Sequence, residues 1–161
     1  MSIMADTTTD EIMAMAALTG GRMPTYVEAT PEDLTGIVEY FADAAARVQI
    51  AGLDGLEIHA AHGYLIDTFL SPAWNQRTDD YGGSEEGRAR LLVEVVEAVR
   101  ARCGADFALL VRLNGQDAAL PEGITPDLAA RYALKAETAG ADAIHVTAYS
   151  SITGRAGFTE G

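Results

Sequence analysis

Phe107-Ala108-Leu109-Leu110-Val111-Arg112-Leu113 is an almost continuous apolar run of strand length. Such a run fits a strand covered on both faces, as in parallel sheets. The residues around it repeat. Gly104-Ala105-Asp106 stands before it, after an amphipathic stretch, Arg88–Arg102, with Leu91, Leu92, Val95, Val96 and Val99 on one side. Ala51-Gly52-Leu53-Asp54 and Ala139-Gly140-Ala141-Asp142 occupy the same place between a helical and a strand pattern. In each unit glycine ends the helix and aspartate opens a tight turn into the strand. The neighbouring strands are Leu56–Ala60 and Ala143–Thr147.

Two helix starts carry the same chemistry. Thr30-Pro31-Glu32-Asp33 and Thr125-Pro126-Asp127 each offer a capping hydroxyl, proline at the first helical position and acids in the first turn. After Thr30, apolar residues recur at Leu34, Ile37, Val38, Phe41, Ala45 and Val48, one face of a 3.6-residue period. The order is α-β-α-β-α-β, which implies parallel strands with right-handed crossovers. No G-x-G-x-x-G turn of a dinucleotide-binding sheet is present. His59, Arg112 and Thr147 fall at the C-terminal ends of their strands, where a (β/α)8 barrel carries its chemistry. The fold class is therefore α/β. A closed barrel takes roughly 200 residues or more, and three strands cannot close one, so the chain reads as a partial (β/α)8 TIM barrel.

Residues 1–21 read as a weakly structured segment with at most one short helix around Asp10–Leu18. The barrel-like domain is expected over 22–161. Leu65–Leu70 fits one or two helical turns, and Ser71-Pro72 breaks it. Asn75–Ser84 (NQRTDDYGGS) is a polar loop rich in turn residues, of a length that usually signals function.

The net charge of −13 argues against nucleic acid or an anionic membrane as partner. The single cysteine, Cys103, excludes an internal disulfide and a four-cysteine cluster, and suits a reduced, cytoplasmic setting. No apolar run approaches the roughly 20 residues needed to cross a bilayer, and no signal-peptide pattern opens the chain.

The reactive side chains crowd into Gly55–Tyr64, GLEIHAAHGY, which holds two of the three histidines. Two imidazoles can donate two hydrogen bonds to one oxygen and stabilise an enolate-like oxyanion. A tyrosine beside them can deliver a proton. His59, His62 and Tyr64 lack a nucleophile and a hydride source, so the other half of the reaction falls to a cofactor. Arg112 is suited to hold an anionic cofactor group; the alternative is an ion pair with Glu57. A zinc site from Glu57, His59 and His62 lacks a fourth ligand, and no metal is expected. His145 reads as structural, and Arg77, Asp79 and Tyr81 as residues that fix the loop.

The run Gly52–Arg88, GLDGLEIHAAHGYLIDTFLSPAWNQRTDDYGGSEEGR, resembles the Old Yellow Enzyme family of flavin-dependent ene-reductases. The likeness lies in His59-x-x-His62-x-Tyr64, Phe69-Leu70-Ser71-Pro72 and Asn75-x-Arg77-Thr78-Asp79-x-Tyr81-Gly82-Gly83-Ser84, then Glu86 and Arg88. It continues through Val111-Arg112-Leu113-Asn114-Gly115 and covers roughly residues 22–150. The resemblance implies barrel strands four to six and non-covalent FMN reduced by NAD(P)H. It implies hydride transfer to an activated alkene, such as an enone. By it, His59 and His62 bind the substrate oxygen, Tyr64 protonates the α-carbon and Arg112 lies near the flavin N1/O2 edge. Gly87 stands where the family usually has Asn. The family's first three strands and its last two, whose loops hold the FMN phosphate, have no counterpart here. The alternative is an inactive barrel fragment or split subunit, completed by a homo-oligomer or a complementing barrel fragment.

Overall fold

A computed structural model describes residues 27–117, 120 and 122–147. The expected segment 1–21, with its helix at Asp10–Leu18, lies outside the described residues. The element order is α1 (Pro31–Ile50), β1 (Gly55–Ala60), α2 (Leu65–Leu70), α3 (Glu85–Cys103), β2 (Ala108–Asn114), α4 (Pro126–Ala139) and β3 (Ala143–Thr147). The three strands form one parallel sheet in sequence order, β1-β2-β3. A doubly wound sheet would reverse direction at a switch point. Strands that follow one another without reversal, with helices on one side, are a segment of a barrel wall.

The caps form as the sequence dictates. Thr30 and Asp33 make a reciprocal capping box, and Pro31 opens α1. Thr125 caps α4 through the Leu128 amide. Gly52, Gly104 and Gly140 all have positive φ and end the helices before the three strands. Asp142 then accepts from the Leu109 amide at 2.8 Å and pairs with Arg100 at 2.7 Å, tying the last turn to β2. One boundary differs from expectation. α3 begins at Glu85 rather than Arg88, because the Ser84 hydroxyl accepts from the Gly87 amide.

Side chains alternate across the sheet. Ile58, Ala60, Leu109, Val111 and Leu113 point beneath the helices and are buried, against Leu34 of α1, Leu91 and Val95 of α3 and Tyr132 of α4. Full burial of each large aliphatic chain contributes about 2 kcal/mol. The register pairs His59 with Arg112 and Arg112 with His145, and Glu57 lies two residues before His59. These residues share the other face, which the helices leave open. The run at residues 107–113 is thus covered by helices on one face only. Leu110 and Arg112, half-buried, look the other way. Among the described residues no helix is long and apolar enough to cross a membrane.

The loop expected at Asn75–Ser84 is held by its own polar residues. Arg77 reaches Asp79 at 2.5 and 3.0 Å and donates to the Ala29 carbonyl at 2.9 Å. Asp79 accepts from the Tyr81 amide, and the Tyr81 hydroxyl donates to Glu94 at 2.9 Å. Gly82 and Gly87 meet backbone to backbone. A β-carbon built on Gly87 would lie 2.2 Å from the Gly82 carbonyl oxygen.

Candidate functional site

The site grows from the end of β1. His59 is on the open face of the strand, and the chain then turns through Ala61-His62-Gly63 into α2. His62 adopts a left-handed backbone with φ of 63°, and Gly63 follows with φ of 73°. This double positive φ reverses the chain tightly enough to return Tyr64 to His59. The His59 and His62 rings meet edge to face at a centroid separation of 4.8 Å, and His59 and Tyr64 at 5.2 Å. The three side chains singled out in the sequence therefore form one cluster. Tyr64 is 63% exposed.

Both imidazoles are biased toward the neutral form. Burial pushes the His59 pKa down, and the Arg112 charge pushes it further, against a smaller opposing pull from Glu57. Burial does the same to His62, aided by His59, Arg112 and His145. A neutral imidazole retains one N–H to donate. The His62 Nε2 lies 3.0 Å from the Thr147 hydroxyl at the end of β3. His59 Nδ1 is buried without a hydrogen-bond partner among the described residues.

Arg112 stands beside this cluster on β2. Its Nη2 contacts Glu57 at 2.6 Å, the ion pair weighed above as the alternative. The other Glu57 oxygen lies 2.9 Å from His145 Nδ1, so the carboxylate ties β1 to both other strands. Burial pushes the Glu57 pKa up, but the His145 hydrogen bond and the Arg112 charge outweigh it and hold the carboxyl below its usual range. The pair does not exhaust Arg112. Its Nε is buried and has no partner among the described residues. His145, read as structural, is a bridging residue of this open face.

Three residues that sequence reasoning passed over support the cluster from beneath: Asp67, Asn114 and Asp117. All three are buried. The signal for Asp67 was available, as a lone acid in the apolar helix Leu-Ile-Asp-Thr-Phe-Leu. Among the described residues no group of three His, Cys, Asp or Glu side chains is placed to hold a metal ion. Glu57, the third member of the zinc alternative, is engaged by Arg112 and His145. A groove of about 620 Å³ lies on the far side of the sheet between α3 and α4. Arg131–Glu85 and Lys135–Glu86 ion pairs span it, away from the histidines.

A family model described as the NADH:flavin oxidoreductase / NADH oxidase family matches residues 4–156. An NADPH dehydrogenase of Geobacillus thermodenitrificans is 40% identical over 146 residues, 90% of this chain and 42% of that protein. Among solved structures, a 2-naphthoyl-CoA reductase in complex with 2-naphthoyl-CoA superposes with a TM-score of 0.74 at 34% identity. The match covers 78% of this chain and 19% of that one. An old yellow enzyme homologue from Zymomonas mobilis superposes with a TM-score of 0.69 at 29% identity, over 78% of this chain and 36% of that one. The chain spans less than half the length of the curated relatives it first matches.

Proposed function

The chain belongs to the NADH:flavin oxidoreductase / NADH oxidase family, and from that premise we propose that it carries the substrate-activating half of an FMN-dependent ene-reductase site. The observation that carries this reading is the His59–His62–Tyr64 cluster at the C-terminal end of β1, beside the Arg112 guanidinium. When bound, FMN supplies the hydride, drawn from NAD(P)H, that reduces an activated C=C bond. The residues present fit one edge of that cofactor. Arg112 brings positive charge to the open face with an unpartnered Nε, suited to the electron-rich N1/O2 edge of a flavin ring.

The chain's own residues then do two things. His59 and His62, both biased to the neutral form, donate N–H bonds to the carbonyl or nitro oxygen of the alkene and stabilise negative charge as it develops there. The His62 Nε2 faces the Thr147 hydroxyl at 3.0 Å, and the substrate oxygen takes the place of that hydroxyl. Tyr64, exposed and against His59, delivers a proton to the α-carbon. The substrate class is a small activated alkene, and the setting cytoplasmic.

Among the described residues β1 and β3 each pair on one side only. This favours a second reading, in which FMN is retained only once a complementing barrel fragment or a second copy of the chain continues the sheet. FMN fluorescence quenching with light scattering separates the two. Saturable quenching by the monomer supports the first. A colourless monomer that binds FMN only within a larger assembly supports the second. No FMN binding in either state overturns both. In the flavin-loaded protein, Tyr64→Phe should slow alkene reduction at least tenfold, within the usual range for a general acid. Flavin reduction by NAD(P)H should be unchanged. Stopped-flow measurement of the two half-reactions checks this, and equal loss of both removes Tyr64 as proton donor.

A further inference from the structure

His62 is the one non-glycine residue with positive φ among the described residues. A side chain in that region costs of order 1 kcal/mol and persists where the surroundings over-determine it. Here two buried side chains from other elements grip successive amides of the turn. Asn114 Oδ1, at the end of β2, accepts from the His62 N–H at 3.2 Å. Asp67 Oδ2, from α2, accepts from the Gly63 N–H at 2.7 Å. The same Asp67 oxygen accepts from Asn114 Nδ2 at 2.9 Å, closing a ring of three hydrogen bonds around the His62–Gly63 peptide. Asp67 and Asn114 are each 2% exposed.

We propose that Asp67 and Asn114 are positioning residues that fix His62 in its left-handed turn, and so set where its imidazole stands relative to His59. The carboxamide of Asn114 is oriented by its partners: an N–H requires its oxygen, a carboxylate its nitrogen. Asn114 Nδ2 also lies 3.3 Å from Asp117 Oδ1. Asp117 is anchored in turn by the Ser71 hydroxyl at 2.6 Å and the Ile124 amide at 2.9 Å. The ring is thus braced on α2, β2 and the segment after β2, while His62 itself supplies only backbone.

The grip is titratable. The bond from the Gly63 amide is charge-assisted when Asp67 is ionised and weaker when it is protonated. Burial raises the Asp67 pKa, the Gly63 bond opposes it and the like charge of Asp117 adds to it, bringing it to about 7. Around Asp67, β2 presents the neutral Asn114, the turn presents the Gly63 amide, and the segment after β2 presents Asp117. Among the described residues no cation pairs with Asp67 and its Oδ1 has no hydrogen-bond partner. Rising pH therefore tightens the turn that carries His62.

The catalytic consequence rests on His62 binding substrate, as read above, but the positioning itself does not. The test uses ¹⁵N and ¹³C NMR of the 161-residue chain from pH 5 to 9, without flavin. The Asp67 carboxyl carbon and the Gly63 amide proton should titrate together near pH 7, the amide moving downfield as pH rises. Asp67→Asn keeps an acceptor oxygen for both donors, so it should abolish the Gly63 transition while leaving the His62 amide protected. Asn114→Ala should speed hydrogen exchange at the His62 amide about tenfold, the loss of one hydrogen bond of about 1.4 kcal/mol. A His62 amide that exchanges no faster in Asn114→Ala overturns the proposal. So does a Gly63 amide whose exchange is unchanged when Asp67→Ala removes its acceptor. A failure of FMN binding would sink the functional reading and leave each of these outcomes readable.

Discussion

Asn75 lies 7% exposed at the head of the long loop and replaces a turn's worth of backbone bonding with one side chain. Its Nδ2 donates to the Phe69 and Tyr81 carbonyls, both at 2.7 Å, and its Oδ1 accepts from the Arg77 amide at 3.0 Å. Two carbonyls on one side and an N–H on the other fix which end of the amide is nitrogen. Asn75→Ala removes three bonds, each worth about 1 kcal/mol net, and strands two carbonyls, so the loss should be about 3 kcal/mol. For a chain of this size that is a fall in Tm of roughly 6–12 °C. Urea unfolding followed by circular dichroism at pH 7 measures it. Asn75→Asp sharpens the test. It keeps the acceptor for Arg77 but turns a carboxylate oxygen toward two carbonyl oxygens, so at pH 7 it should cost at least as much as alanine. Acidification, by restoring one O–H donor, should recover part of the loss. A cost under about 1 kcal/mol for alanine, or an aspartate variant milder than alanine, would refute the view that this side chain holds the loop.

Gly87→Ala should destabilise by about 1–3 kcal/mol, since the new methyl meets the Gly82 carbonyl and the helix start must shift; differential scanning calorimetry reads it, and an unchanged Tm means the loop yields freely. The Asp67 shift makes a signed statement about pH. Its pKa is about 7 folded against 3.8 ordinarily, so between those values the folded state binds more protons and stability falls as pH rises. Relative to Asp67→Asn, the natural chain should lose up to roughly 4 kcal/mol between pH 4 and pH 7, from about 1.4 kcal/mol per unit. His59 and His62 act in the opposite sense. Their folded pKa values are lowered, so stability in the Asp67→Asn background should fall as pH drops through about 6.5, where unfolded imidazoles take up protons first. Urea midpoints in both backgrounds across this range check the two signs, and a flat difference between the natural chain and Asp67→Asn would contradict the first.

The features legible in the sequence are those written in local chemistry. The caps at Thr30 and Thr125, the Gly-Asp turns and the β3 limits needed only neighbouring residues to be read. The start of α3 was missed by three residues although Ser84-Glu85-Glu86 carries a capping hydroxyl and first-turn acids; the glycines before it masked the signal. The His59–His62–Tyr64 cluster was legible because six residues and one turn hold it. The bridge from Arg112 through Glu57 to His145 was legible only as a pair, because its third member depends on the register between β2 and β3. Asp67 left a trace as the lone acid of an apolar helix, but its partners, and the burial of Asn114 and Asp117, lay outside what spacing can tell. Their partners are up to 52 residues away, and nothing in a polar side chain announces that it will be buried.

The alternation along the three strands separates two kinds of selective pressure by a single residue. Ile58, Val111 and Ile144 answer to the helices; His59, Arg112 and His145, each next in line, answer to whatever meets the open face. A substitution on the open face leaves the packing beneath it nearly intact, and effects at positions without shared partners add. Outside the Glu57 bridge to Arg112 and His145, such a sheet can change its open face without renegotiating its cohesion. The turn at His62 is a second exception: the backbone that places its imidazole is itself held by Asn114 and Asp67, so side chain and architecture must change together there.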